Sequence, residues 1–294
     1  MIVPPCTMSA SDAGSFSRVH TSLSSSQNPS KKHSWHGPKQ IGMMIYTAIL
    51  FLIGTSIIGG NNNTVFPMFS EIRGWDVNVI NVVSGLACIA KAIGVLVLAR
   101  VVRKTGAKNL TTVTLILSAL LLIVFGTTKS LPLFLIVILI IGFLGGGYEK
   151  NGGMTLTASW WPTKKGIVLG FTTMGIVAMN FLYVPMMPKL LGKLGLGGGM
   201  TVIAVILIIV AIITAICVKN NPEEAGEYPD GDPTYAVNGA EIAQMMKEYK
   251  SPFTIGKVLK DKNTWFIGLG SALAFLAVMS YIASAIPAML AIGY

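Results

Sequence analysis

The chain has 294 residues, of which 52% are hydrophobic and only 12% are charged, and its mean hydropathy is +0.67. A soluble domain carries about 25% charged residues, so this composition argues against a water-soluble enzyme, a disordered protein and a nucleic-acid-binding protein. The net charge of +10 does not change that conclusion, because the basic residues stand in short clusters between long apolar runs.

Residues 1–40 predict a disordered tail on the cytoplasmic side of a membrane. They are polar and rich in serine, and they lack the apolar centre of a secretory signal. All three histidines of the chain (His20, His33 and His36) lie in this tail. No histidine is therefore available for chemistry within a membrane.

Seven apolar runs follow, each close to the roughly 20 residues that a bilayer-crossing helix needs. Lipid offers no hydrogen bonds to the backbone, so we predict helices for these runs. A membrane barrel would need alternating polar residues, which these runs lack. The predicted spans are 41–61, 77–99, 109–127, 132–158, 166–188, 198–218 and 264–288.

The lysines and arginines of the connections predict the orientation, since cytoplasmic loops carry an excess of these residues. With the N-terminus in the cytoplasm, 16 basic residues fall on the inner side and 4 on the outer side. The bias predicts a multi-pass protein of the cell membrane with a cytoplasmic N-terminus. It also accounts for the basic charge without a nucleic-acid partner.

The composition changes after the sixth run, where residues 219–263 are polar. Turn signals at Asn221-Pro222 and Pro229-Asp230-Gly231 indicate a cytoplasmic linker. Within it, residues 241–250 predict an amphipathic helix that lies on the inner membrane surface or packs on protein. The predicted domains are the tail 1–40, a six-helix region 41–218, the linker 219–263 and a seventh span in 264–294.

Lys91, Glu149 and Lys150 are the ionisable residues within the predicted spans. Such groups cost roughly 2.5–3.5 kcal/mol each at the bilayer centre on insertion scales, which indicates a function. At 1.5 Å per residue, Lys91 and Glu149 lie about 14 Å and about 16 Å from the cytoplasmic ends of their helices, so they can pair near the midplane. Lys150 is the next residue along the helix and is expected to point about 100° away from Glu149.

Two cations and one anion leave a net positive centre, which suits an anionic solute. The alternative is a buried ion pair that fixes helix register, with Lys150 reaching towards the membrane surface. Other polar side chains are expected to extend this site, or to form hydrogen bonds between helices instead. The predicted additional substrate-binding residues are Tyr46, Tyr148, Asn151, Asn180 and Tyr183. The run from Asn61 to Thr64 predicts a helix cap and turn at the outer end of the first span.

Other chemistry finds little support in the sequence. The three cysteines are too few and too scattered for a zinc site or a disulfide framework. The chain contains no H-E-x-x-H, no G-x-S-x-G and no phosphate-binding loop motif. We therefore predict no metal, no cofactor and no enzymatic activity. A seven-helix receptor or light-driven pump is a weaker alternative, because the seventh run has no lysine for retinal and the N-terminus is predicted inside.

Two strings resemble the major facilitator superfamily, and within it the oxalate/formate antiporter and monocarboxylate porter branch. Trp160-Trp161-Pro162-Thr163-Lys164-Lys165-Gly166 resembles that branch's entry to the fifth span. Asn221-Pro222-Glu223-Glu224-Ala225-Gly226-Glu227-Tyr228-Pro229-Asp230 is similar to its segment after the sixth span. The superfamily's gating loop is partly present: Lys104, Gly106 and Lys108 fit its basic-Gly-basic part, but Arg103 stands at the acidic position.

The resemblance implies an all-α integral membrane fold, with a six-helix N-terminal bundle of two inverted three-helix repeats and a seventh transmembrane helix. It implies secondary active transport of a small organic anion, such as a mono- or dicarboxylate, by alternating access. A proton or counter-anion is the expected coupled solute, and Arg103 and its neighbours are expected to form the gating loop. Such transporters have twelve spans, so a missing C-terminal half is the expected partner. An inactive truncated fragment is the alternative.

Overall fold

The computed structural model describes residues 37–232 and 260–291. The chain divides into two compact units, Met1–Val237 and Asn238–Tyr294. The described residues are helical and contain no strand, which confirms the predicted all-α membrane fold. Most of the predicted tail and the amphipathic helix predicted at 241–250 lie outside the described residues.

The first helix is continuous and contains one π-helical turn. It consists of α1 (Pro38–Thr55), π1 (Ser56–Gly60) and α2 (Asn61–Arg73). The predicted cap and turn at Asn61 is therefore wrong. Asn61 is buried, and its Nδ2 donates to the carbonyl oxygen of Ile57 at 2.6 Å. The amide thus satisfies a backbone acceptor in the widened π turn, and the helix continues instead of ending.

The second and third helices are α3 (Val77–Thr105) and α4 (Ala107–Thr127). Asp76 caps α3 by accepting a hydrogen bond from the backbone N–H of Asn78 at 2.8 Å. A single residue, Gly106, joins α3 to α4 with φ of 82° and ψ of 158°. Only glycine adopts that backbone conformation without strain, so the turn between these helices depends on it.

The fourth helix also contains a π-helical segment. It consists of α5 (Leu131–Gly145), π2 (Gly146–Gly153) and α6 (Met154–Trp160). Four of the eight residues of π2 are glycine, and the segment includes Glu149 and Lys150. Short π segments of this kind within α-helices are common at functional positions.

The longest element is α7 (Lys165–Cys217), with 53 residues. Its backbone is non-helical at Gly195, where φ is 70° and ψ is 174°. The predicted spans 166–188 and 198–218 fall on the two arms that this glycine separates. Counting α7 once, five helices among the described residues are long and apolar enough to cross a membrane.

Matching features recur at a spacing of about one repeat of three helices. The π segments begin at Ser56 and Gly146, which are 90 residues apart. The positive-φ glycines Gly106 and Gly195 are 89 residues apart. Each stretch therefore holds a helix with a π segment, a second helix, a glycine turn and a third helix. With one crossing per helix, as the sequence predicts, the second stretch would run inverted relative to the first.

The second unit contains α8 (Lys262–Ala291), a helix of 30 residues. Asp261 stands before it, and its carboxylate accepts a hydrogen bond from the backbone N–H of Asn263 at 3.2 Å. The predicted seventh span, 264–288, falls within α8.

Candidate functional site

Helix α3 meets the α5–π2 helix so closely that the crossing has room only for glycine. A Cβ on Gly142 would lie 2.5 Å from the carbonyl oxygen of Ala87, and one on Gly146 would lie 2.7 Å from that of Lys91. Side-chain carbons do not approach backbone oxygens this closely. Small residues at this crossing therefore bring the backbone of Lys91 directly against π2.

Three charged side chains meet at this crossing, and we call Lys91, Glu149 and Lys150 the ionic cluster. The Nζ of Lys91 donates to Oε2 of Glu149, and the Nζ of Lys150 lies 2.9 Å from Oε1. The Glu149 side chain is 1% exposed, whereas those of Lys91 and Lys150 are 17% and 32% exposed. Each oxygen of one buried carboxylate therefore has its own ammonium partner, and both lysine side chains are more exposed than that of Glu149.

The position of Lys150 differs from the expectation. A straight α-helix separates adjacent side chains by about 100°, which led us to expect Lys150 to point away from Glu149. In the structure, the long lysine side chain returns to its neighbour within the widened turns of π2. Its ammonium also lies 4.7 Å from the centroid of the Phe51 ring on α1, a cation–π distance. Lys150 thus takes part in the site and does not simply reach for the membrane surface.

Helix α1 covers the carboxylate from the other side through Gly54. A Cβ on Gly54 would overlap Oε2 of Glu149 and would lie 2.6 Å from its Cβ. The carboxyl group therefore fills the space that the missing side chain of Gly54 leaves. The sequence analysis missed both Gly54 and Phe51, because a glycine or a phenylalanine in an apolar run carries no signal of its own.

Two further predicted residues lie on π2 beside the cluster. Asn151 donates from Nδ2 to the carbonyl oxygen of Val95 on α3 at 3.0 Å. The Tyr148 ring is buried, with 1% of its surface exposed. The asparagine therefore holds π2 to α3, next to the point where Lys91 reaches Glu149.

The remaining predicted residues take other positions. The Tyr46 and Thr214 hydroxyls are 2.7 Å apart, and the Tyr183 hydroxyl donates to Oδ1 of Asn61 at 2.5 Å. These bonds join the first long helix to α7 and do not involve the ionic cluster. They match the second expectation for these residues, namely hydrogen bonds between helices. Asn180 is exposed on α7.

The segment after α7 folds back onto the first unit, and we call residues 219–232 the strap. It contains two short 3₁₀ turns, Pro222–Ala225 and Pro229–Gly231. Its backbone carbonyls at Lys219 and Ala225 accept hydrogen bonds from Trp160 Nε1 at 3.2 Å and from Lys39 Nζ at 2.7 Å. This first part of the predicted linker is therefore packed against the helices, which its turn-forming composition did not indicate.

Asp230 anchors the far end of the strap. Its carboxylate accepts hydrogen bonds from the backbone N–H and hydroxyl of Thr163, at 3.1 Å and 2.7 Å, and from the Lys164 N–H at 3.3 Å. The residue is 3% exposed. Because Thr163 and Lys164 immediately precede α7, the negative charge of Asp230 stands at the N-terminus of that helix, where the helix dipole favours an anion.

The strap also contacts the predicted gating loop. Asn220 accepts through Oδ1 from the Lys108 N–H at 2.9 Å, and a Cβ on Gly106 would lie 2.9 Å from its Nδ2. Arg103 and Lys104 are exposed in the last turn of α3, where cations complement the helix dipole. The four gating-loop residues therefore surround a turn that the strap side chain Asn220 holds.

A family model described as Major Facilitator Superfamily matches residues 44–294. The match takes in the ionic cluster, the gating-loop residues, the strap and α8. No curated protein and no solved structure matches the chain.

Proposed function

Because the chain belongs to the major facilitator superfamily, we propose that it moves a small organic anion, such as a mono- or dicarboxylate, across the membrane by alternating access. The superfamily is one of transporters, so the protein is a multi-pass membrane transporter of the major facilitator type and not an enzyme. The identity of the solute is the proposed part. The observation that supports it is the ionic cluster.

The charge of the cluster favours an anion. Two ammonium groups share one carboxylate, so one positive charge has no counter-charge within the cluster. An uncompensated charge is costly among apolar helices, and an incoming carboxylate would remove that cost. The exposed parts of the Lys91 and Lys150 side chains give such a solute a place to bind. Glycine contacts bring α3 against π2 at the same crossing, so the helices also pack there independently of the ions.

The proposed transport cycle has two states. The cluster is open to one side of the membrane in the first state and to the other side in the second. In this scheme the anion is exchanged against a second anion or accompanied by a proton. Beside the cluster, Tyr148 is buried and Asn151 holds π2 to α3, so these polar residues support the position of the charges. The gating-loop residues would close the cytoplasmic side.

The proposal is tested by uptake of radiolabelled lactate, formate and oxalate into proteoliposomes that contain the purified protein. We expect uptake of at least one of these anions, and its loss in Lys91→Ala and Lys150→Ala, since each variant removes the uncompensated charge. Lys129→Ala is the matched control, because Lys129 is an exposed lysine in the connection between α4 and α5. Unchanged uptake in both cluster variants would remove the cluster from the mechanism, and no uptake of any anion would contradict the proposed solute class.

A further inference from the structure

The two kinds of charge in the ionic cluster differ in how far they can move. Glu149 is held on both oxygens, is 1% exposed and fills the space beside Gly54. Lys91 and Lys150 are partly exposed, and each ammonium has three N–H donors, of which the Glu149 contact uses one. The carboxylate is therefore the fixed part of the cluster, and the lysine side chains are its partly exposed part.

We infer that Glu149 is a permanent counter-charge that limits the ionic cluster to one negative charge of solute, so that the site selects monocarboxylates over dicarboxylates. This inference rests on the proposed function and makes its solute class narrower. Glu149 in this role is a positioning residue. It holds the Lys91 and Lys150 ammonium groups on either side of one carboxyl group and does not itself bind the solute.

The selection follows from the charge count. Two lysines and one glutamate give a charge of +1, which a single carboxylate brings to zero. A second carboxylate on the same solute would leave one negative charge without a partner in the cluster, in a medium where a charge is poorly solvated. A protonated Glu149 would raise the cluster to +2 and favour a dicarboxylate. The preference for monocarboxylates over dicarboxylates therefore depends on the charge of Glu149.

The contacts of Lys150 help to hold its ammonium in place. That ammonium lies over the Phe51 ring as well as beside Glu149. Because Phe51 is fully buried, the ring positions the ammonium and leaves the exposed part of the Lys150 side chain as the surface that meets a solute.

The experiment compares succinate with monomethyl succinate, two solutes of similar shape that differ by one charge at neutral pH. Each is used as a competitor of labelled uptake in proteoliposomes, with the wild-type protein and with Glu149→Gln. We expect the wild type to prefer the monoester by at least about tenfold, and Glu149→Gln to shift the ratio towards succinate by a similar factor, since the variant adds one positive charge to the cluster.

Glu149→Asp is the matched variant, because it keeps the charge and is expected to keep the preference for the monoester. A wild-type preference for succinate overturns the inference without any variant, even if Glu149→Gln fails to fold. An unchanged ratio in a folded Glu149→Gln protein overturns it as well. Both results leave the proposed function in place, whereas the absence of uptake, or unaffected Lys91→Ala and Lys150→Ala variants, would count against the proposed function itself.

Discussion

Gly54 shows how a residue without a side chain shapes the ionic cluster. The Glu149 carboxyl group occupies the position where a Cβ on Gly54 would stand. The depth count along the helices predicted that Lys91 and Glu149 share a level, and the two residues are in contact. It did not predict the Gly54 contact, because helix periodicity does not specify which face of a third helix covers a pair.

We expect Gly54→Ala to lower the free energy of unfolding by about 1–3 kcal/mol, because the added methyl group must displace Glu149 or push α1 away. Uptake should fall as well, since both lysine contacts depend on the position of that carboxylate. The measurement is thermal unfolding in detergent, together with the uptake assay. Gly170→Ala is the control: it lies within α7, and a Cβ there meets no atom within 4 Å. Equal stability of the two variants would show that α1 does not constrain Glu149.

Lys150 and the two tyrosines mark the limit of residue-by-residue prediction. The expected separation of Lys150 from Glu149 assumed an α-helix, and π2 is not one. The sequence shows Tyr46 and Tyr183 as polar groups within apolar runs, but it leaves open whether they face a solute or another helix. Their partners, Thr214 and Asn61, lie 168 and 122 residues away in the chain, beyond the reach of any local pattern.

At the scale of elements, the strap links connections that are distant in sequence. Asn220 contacts the turn between α3 and α4, and Asp230 contacts the residues that lead into α7. The strap thereby joins two connections at the ends of neighbouring helices. In the predicted gating loop Arg103 stands at the acidic position, and the strap side chain Asn220 contacts the same turn.

We expect Asp230→Ala to lower the free energy of unfolding by about 1–2 kcal/mol, the usual range for the loss of a helix cap. The physical reason is that three donors at Thr163 and Lys164 lose their common acceptor. Chemical or thermal unfolding in detergent measures the change. Glu223→Ala serves as the control, because Glu223 is an exposed acidic residue of the same strap. An equal loss of stability in Glu223→Ala would show that the negative charge of the strap in general, and not the Asp230 cap, stabilises the protein.

The helices themselves were largely predictable, and their irregularities were not. Apolar runs of about 20 residues identify membrane helices by length alone. The π segments, in contrast, occur at glycine- and asparagine-rich stretches that also predict turns, which is why the first helix was expected to end near Asn61. The sequence predicts a linker for the strap, because proline, glycine and acidic residues indicate turns but do not specify what those turns pack against.

At the scale of the whole molecule, composition and hydropathy were enough for the class of fold. Low charge content and long apolar runs predicted an all-α membrane protein, and the described residues and the family match confirm it. The number of spans stays a prediction, because α7 combines two predicted spans in one element. The orientation in the membrane also stays a prediction, which depends on the distribution of lysine and arginine.

That orientation predicts opposite labelling of two exposed positions. In a variant whose three cysteines are replaced by serine, we expect Lys129→Cys to react with a membrane-impermeant maleimide on intact cells. Lys104→Cys should react only after the cells are permeabilised, because the gating loop is predicted to be cytoplasmic. Labelling of residue 104 on intact cells, with protection of residue 129, would reverse the topology and the direction in which the cluster opens.

The spacing of 90 residues between the π segments also separates the charge of the ionic cluster from the backbone that carries it. Counting back by that spacing from Glu149 and Lys150 leads to Gly59 and Gly60, which lie in π1. The two π segments thus share a backbone irregularity, and only the second of them carries charged side chains. The widened turn therefore does not require those charges, and two substitutions within π2 are enough to change what the site attracts.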